Sequence, residues 1–141
     1  MANHNILGQD GEEAAARYLM FEGYSLLERN WRVGHLEVDI IAERRGLLVF
    51  AEVKTRSSDS TVLPEARVDR EKRGRLLRAA AAYLSLTGED RQIRFDILSV
   101  TGQAPSFTVR HIENAFSPDP RTGGDRSEDT IYDYNNYHDK I

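Results

Sequence analysis

The order of apolar and polar positions predicts seven elements, αβββαββ. Ala15, Tyr18 and Leu19 recur at i, i+3 and i+4, the spacing of one helix face. Asp10 stands where an N-cap belongs, and Glu13 three residues on completes a capping box. Gly23 is the stop, so the spacing predicts a helix from Asp10 to about Glu22. Tyr24 to Arg32 reads as a strand anchored by Leu26, Leu27 and Trp31, with a turn at Gly34. In the next strand, Leu36, Val38, Ile40 and Ala42 face one way and Glu37, Asp39 and Ile41 the other. A turn at Arg45-Gly46 leads to Leu47–Thr55, apolar on both faces as a covered central strand would be. Ser57 to Leu63 is a polar loop. Pro64 opens a helix to about Leu86, with Leu77, Ala80, Ala81 and Leu84 at core spacing and Gly88 as its end. Gly74 weakens its interior. Gln92–Val100 and Phe107–Ile112 are the last two strands.

Three charges break the apolar pattern. Asp39 lies in the second strand, and Glu52 and Lys54 in the third. A buried charge costs several kcal/mol unless it is paired or bound to metal. Period two puts Glu52 and Lys54 on one face, about 7 Å apart along the strand. Two readings fit. In one, Lys54 neutralises Glu52 or Asp39 in an ion-pair network. In the other, Asp39 and Glu52 supply the hard oxygen ligands that Mg²⁺ or Mn²⁺ takes beside waters and a substrate phosphate, and Lys54 orients the attacking water or stabilises developing charge. Glu12 leans toward the helix's apolar stripe and has no capping role, which makes it a fourth candidate.

Length and charge limit the rest. At 141 residues the chain is one domain with room for a core. It has no cysteine, which excludes disulfides and thiolate metal sites and fits a cytoplasmic protein. Met1 to Asp10 lacks a signal-peptide pattern, and no apolar run is long enough to span a membrane. The net charge of −4 is unevenly spread. Residues 117–141, which read as a flexible acidic tail, carry −3, and three tyrosines there offer a docking handle. Arg67 to Arg78 carries +4, so a basic helix face can meet phosphates on a near-neutral body. Arg56, Lys72, Arg73 and Arg75, with Arg78, are the candidate phosphate contacts; the plainer reading is a solvated face with i,i+4 pairs such as Asp69–Arg73. Glu37 reads best as a partner for Arg32 or Arg56, and Arg94 with Asp96 as a structural pair. His35 and His111 lack metal spacing. Trp31 and Phe95 read as core.

Several of these residues also stand in a recognisable order. Gly8-x-x-Gly11-Glu12, Tyr24, Asn30-x-Arg32, Glu37 to Ala42, Phe50 to Arg56, Lys72, Arg94 to Asp96 and His111 to Phe116 resemble the bacterial YraN-type uncharacterised protein family over roughly residues 6–116. That family is similar to the restriction-endonuclease-like, or PD-(D/E)xK, nucleases and to archaeal Holliday junction resolvases. The resemblance implies an α/β fold with a restriction-endonuclease-like αβββαβ core, a mixed central sheet flanked by helices, over residues 1–116. It implies a site of Glu12, Asp39, Glu52 and Lys54, with Asp39 and Glu52 holding Mg²⁺ or Mn²⁺. The implied activity is endonucleolytic cleavage of DNA, branched substrates included, by a homodimer; the alternative is a nucleic-acid-binding module that does not cut. The chain departs from the family at Leu36, where glycine is usual, and at Ser60 to Leu63, where a Phe-Gly pair usually precedes the proline.

Overall fold

A computed structural model describes residues 2–57, 70–116 and 129–133. Helix α1 (Ala2–Phe21) is followed by strands β1 (Ser25–Val33), β2 (Leu36–Arg44) and β3 (Leu47–Arg56). Helix α2 (Arg70–Thr87) then leads to β4 (Ile93–Gln103), β5 (Ser106–Phe116) and a short β6 (Asp129–Asp133). The strands lie in chain order in one sheet. All neighbours are antiparallel except β3 and β4, which are parallel. A parallel pair needs a long crossover, and α2 lies within that connection.

The sheet therefore has two covered faces. On one, α1 sets Ala15, Tyr18 and Leu19 against Ile40, Ala42, Val49, Ala51, Leu98 and Val100. On the other, α2 sets Leu76, Ala79, Ala80 and Tyr83 against Ile41, Leu48, Phe50 and Phe95. Strand β3 contributes to both, as its doubly apolar pattern requires. The mixed sheet flanked by helices is the expected architecture.

Several local expectations need correction. Helix α1 already runs through Asp10, so Asp10 is no N-cap and the capping box does not form. Glu13 instead binds Arg17 one turn on and Arg29 of β1, at 3.2 and 2.9 Å. Helix α2 buries Leu76, Ala79, Ala80 and Tyr83 rather than a stripe through Ala81, which is exposed. Tyr83 decides this rotation: its ring meets Trp31 and Phe50 edge-on, with centroids 5.3 and 5.7 Å away. The expected alternation in β2 also fails midway. Leu36 and Val38 join the α2-side cluster, whereas Ile40 and Ala42 join the α1 side. The segment expected as a flexible acidic tail supplies β6, paired along β5. Pro64, Asp69 and most of the Ser57–Leu63 loop lie outside the described residues.

Candidate active site

The break in β2 falls at Asp39. Pairing between β2 and β3 runs from Arg44↔Leu47 to Ile40↔Ala51 and stops there. Asp39 and Glu52 are the next residue on each strand, so both acids sit in the fork where the strands part. The Val53 N–H, released from the ladder, donates to Asp39 Oδ2 at 2.8 Å. Across β1, Asn30 lies between the pairs Arg29↔Ile40 and Trp31↔Val38, opposite Asp39. Its backbone is left-handed, with φ at 53°. Asparagine enters that region more readily than other non-glycine residues. One such residue re-aims the strand, which is why Trp31 and Val38 pack under α2 while Arg29 and Ile40 do not.

Helix α1 brings a third acid. Gly11 is buried, and a Cβ there would overlap the Thr55 side chain on β3. Only glycine permits this approach, and it delivers Glu12 beside the fork. Glu12 is raised above the ordinary glutamate range. Burial is the main cause, and Glu37 and Glu52 add to it against Arg29 and a hydrogen bond from Asn30.

The acids line an open cleft of about 260 Å³, with His35, Glu37, Asp39 and Glu52 on one side and Lys72, Arg75 and Leu76 from α2 on the other. Glu52 is only 7% exposed. Its Oε1 lies 2.5 Å from Lys72 Nζ. Burial opposes the Lys72 ammonium, but the Glu52 carboxylate outweighs it and holds Lys72 above the usual lysine range. Asp39 is pushed up to about 8, first by burial and then by the charge on Glu52. With both acids ionised, Asp39 and Glu52 would carry one more negative charge than Lys72 neutralises. Among the described residues, no three His, Cys, Asp or Glu side chains converge on one ion position. A cation here would rest on Asp39 and Glu52 with water and substrate oxygens, which is the way Mg²⁺ is commonly held.

The profile of Uncharacterised protein family UPF0102 matches residues 11–100. A UPF0102 protein of Bacteroides thetaiotaomicron is 48% identical over 84% of this chain and 98% of its own length. One from Flavobacterium psychrophilum is 41% identical over 82% and 98%. One from Nitratidesulfovibrio vulgaris is 42% identical over 83% and 88%. The chain belongs to the UPF0102 family. This is the YraN-type family that the motifs resemble, and the matched span takes in Glu12, Asp39, Glu52, Lys54 and Lys72.

Of the predicted site residues in this UPF0102 chain, Asp39 and Glu52 come together and Glu12 stands beside them. Lys54 is half-buried on β3, paired in register with Ser99, and is not among the cleft's lining residues. The cation at the acid pair is Lys72, which the sequence placed among phosphate contacts. Arg75 lines the cleft and pairs with Glu71 at 3.3 Å. Arg73 lies 5.7 Å from the Phe116 ring centroid, and Arg56 ends β3 away from the cleft lining. Glu37 pairs with Arg32 at 3.1 Å, as expected. His35 proves to be a cleft residue. Asn30 was missed as a shaping residue, although asparagine is depleted in strands and an Asn inside one is itself a signal.

A second polar cluster is buried under α1. Asp96, fully buried, accepts two hydrogen bonds from Arg94, one from the Asn114 N–H at 3.0 Å, and contacts His111 Nε2 at 2.7 Å. His111 Nδ1 meets the Tyr18 hydroxyl at 2.6 Å, and Arg94 donates to the Tyr24 hydroxyl at 2.7 Å. The Arg94–Asp96 pair is the structural one read from the sequence. His111, unremarkable in sequence, is its link to α1.

Proposed function

We propose that this chain is a divalent-metal-dependent endonuclease acting on DNA. The observation that carries the reading is the acid pair at the β2–β3 fork, in a cleft whose opposite wall is cationic. Asp39 and Glu52 would hold Mg²⁺ or Mn²⁺, since relief of their mutual repulsion favours a cation between them. When bound, such an ion lowers the pKa of a water and neutralises charge on the phosphate. The chain's own residues do the rest. The Val53 N–H fixes the rotation of the Asp39 carboxylate. Lys72 and Arg75, one helical turn apart, face the same cleft and would take the phosphate oxygens. Glu12, whose carboxyl burial raises above the ordinary glutamate range, would exchange a proton with water beside the fork. Lys54 belongs to the same strand face as Glu52 and would support charge at its rear.

A DNA substrate accords with a cytoplasmic protein, and among the described residues no helix is long and apolar enough to cross a membrane. One fork per chain cuts one strand, so symmetric cleavage of branched DNA calls for a homodimer. The direct test is cleavage of branched, single-stranded and duplex DNA with and without Mg²⁺. Nicking that needs Mg²⁺ and disappears in Asp39→Ala and Glu52→Ala supports the proposal. An activity indifferent to both substitutions sinks the site assignment.

The Lys72–Glu52 pair also favours a second reading, because it gives the cleft an intact cationic wall without any metal. In that reading the protein holds nucleic acid and does not cut it. Salt-sensitive DNA binding that persists in EDTA and in Asp39→Ala, without cleavage, would select it.

A further inference from the structure

We infer that Lys72 is a built-in substitute for the divalent cation: its ammonium occupies the acid pair until metal binds, then withdraws toward the phosphate side of the cleft. The inference rests on the metal reading of the fork and adds a competitor to it. Its basis is geometric. Lys72 Nζ lies 2.5 Å from Glu52 Oε1. Glu52 is 7% exposed with the ammonium beside it, so Lys72 covers and compensates that carboxylate while it is in place. Mg²⁺ needs carboxylate oxygens at about 2.0–2.1 Å. A metal on Oε1 would take the place the ammonium holds, so metal and ammonium exclude one another at that oxygen of Glu52.

Lys72 is able to leave. It lies on α2 at the cleft wall, and its side chain is 42% exposed. Its flexible four-carbon stem carries a point charge with no fixed geometry, unlike arginine's planar fork. Arg75 lines the cleft one turn further on, so a released Lys72 joins a second cation on the face where phosphates would lie. The exchange costs little charge imbalance: the fork trades one positive charge for two as the phosphate adds its own negative charge. It also keeps the buried acids compensated when no metal is present.

The decisive measurement is Mn²⁺ binding by calorimetry to the wild-type protein, Lys72→Met and Lys72→Arg. Removal of the competitor makes Lys72→Met bind Mn²⁺ at least about fivefold tighter than wild type, whereas Lys72→Arg, which keeps a cation, gains nothing. A parallel measurement needs no variant. Amine acetylation of the wild-type protein, read by mass spectrometry and normalised to Lys140, speeds up at Lys72 when Mg²⁺ is saturating. If wild type binds Mn²⁺ and Lys72→Met binds no tighter, the exchange is wrong and the metal site stands. Unchanged Lys72 labelling in metal overturns the exchange as well, and decides alone if Lys72→Met does not fold. If no form binds Mn²⁺, the metal reading falls and takes this inference with it.

Discussion

Asp39 is the residue at which function and stability pull apart. Its carboxyl is pushed up to about 8 by burial and by Glu52, well above an unfolded value of about 3.9. A raised carboxyl favours the folded state at low pH, where it is protonated in both states, and loses that advantage as pH rises toward the folded value. The metal-free protein should therefore lose stability between about pH 4 and about 8. Asp39→Asn keeps an acceptor for the Val53 N–H and carries no charge. At pH 8 without metal it should be more stable than wild type by on the order of 3 kcal/mol, roughly half the full shift because the cleft is open to water. Urea melts at pH 4 and pH 8 check this, and a difference that fails to widen with pH overturns it. Asp39 and Glu52 were legible in the sequence because a charge in an apolar strand stands out by itself. Lys72 could be read as a phosphate contact but not as the partner of Glu52, because which way α2 faces depends on the ring packing of Tyr83 against Trp31 and Phe50. The role of His111 could not be read, because its partner Tyr18 lies 93 residues away in the chain.

At the scale of elements, the site depends on two local distortions. The first is the approach of α1 to β3 at Gly11, where a Cβ would overlap Thr55. Gly11→Ala should cost about 2–3 kcal/mol, the upper part of the range for overpacking in a filled interior. Thr55→Ala removes most of the clashing atoms and should recover at least about 1 kcal/mol of that loss in a double-mutant cycle. Additive losses would mean that the two side chains do not meet. The second is the left-handed backbone at Asn30. Asn30→Gly keeps that backbone accessible and loses the contact with Glu12, so the fold should hold within about 0.5 kcal/mol. Asn30→Val opposes the backbone itself and should cost about 1–3 kcal/mol. Equal losses in the two variants, measured by chemical denaturation, would show that the backbone is not what matters. The helices and five of the strands could be read from periodicity, which is local, whereas the mixed sheet flanked by helices was implied by the family resemblance. The face switch at Asp39 could not, because strict alternation assumes a regular strand and the distortion lies in the neighbouring one.

Across the whole molecule the two charged clusters set opposite limits on stability. The fork carries excess acid and is most comfortable at low pH. The cluster under α1 behaves in the reverse sense. Burial works against the Asp96 charge, yet the hydrogen bonds from His111 and Arg94 hold its carboxyl below the ordinary range. A depressed carboxyl stabilises the fold above the unfolded value and loses that contribution as pH falls through the folded one. This cluster also ties α1, through Tyr18, to β4 and β5, so its loss loosens the helix that presents Glu12. The metal-free protein should consequently be most stable on the acid side of neutrality, with Asp96 shaping the acid limb and Asp39 the alkaline one. Asp96→Asn leaves the mostly buried Arg94 with only the more distant Glu113 carboxylate, 3.7 Å away, and should cost about 3 kcal/mol near neutral pH, with a shallower decline on acidification. Saturating Mg²⁺ stabilises only the state with both acids ionised, so it should raise the alkaline limb and move the optimum upward, in wild type but not in Asp39→Asn. Urea midpoints from pH 3 to 9 with and without Mg²⁺ decide the matter: an optimum that Mg²⁺ leaves in place would remove the cation from the fork and with it the chemical role of the cleft.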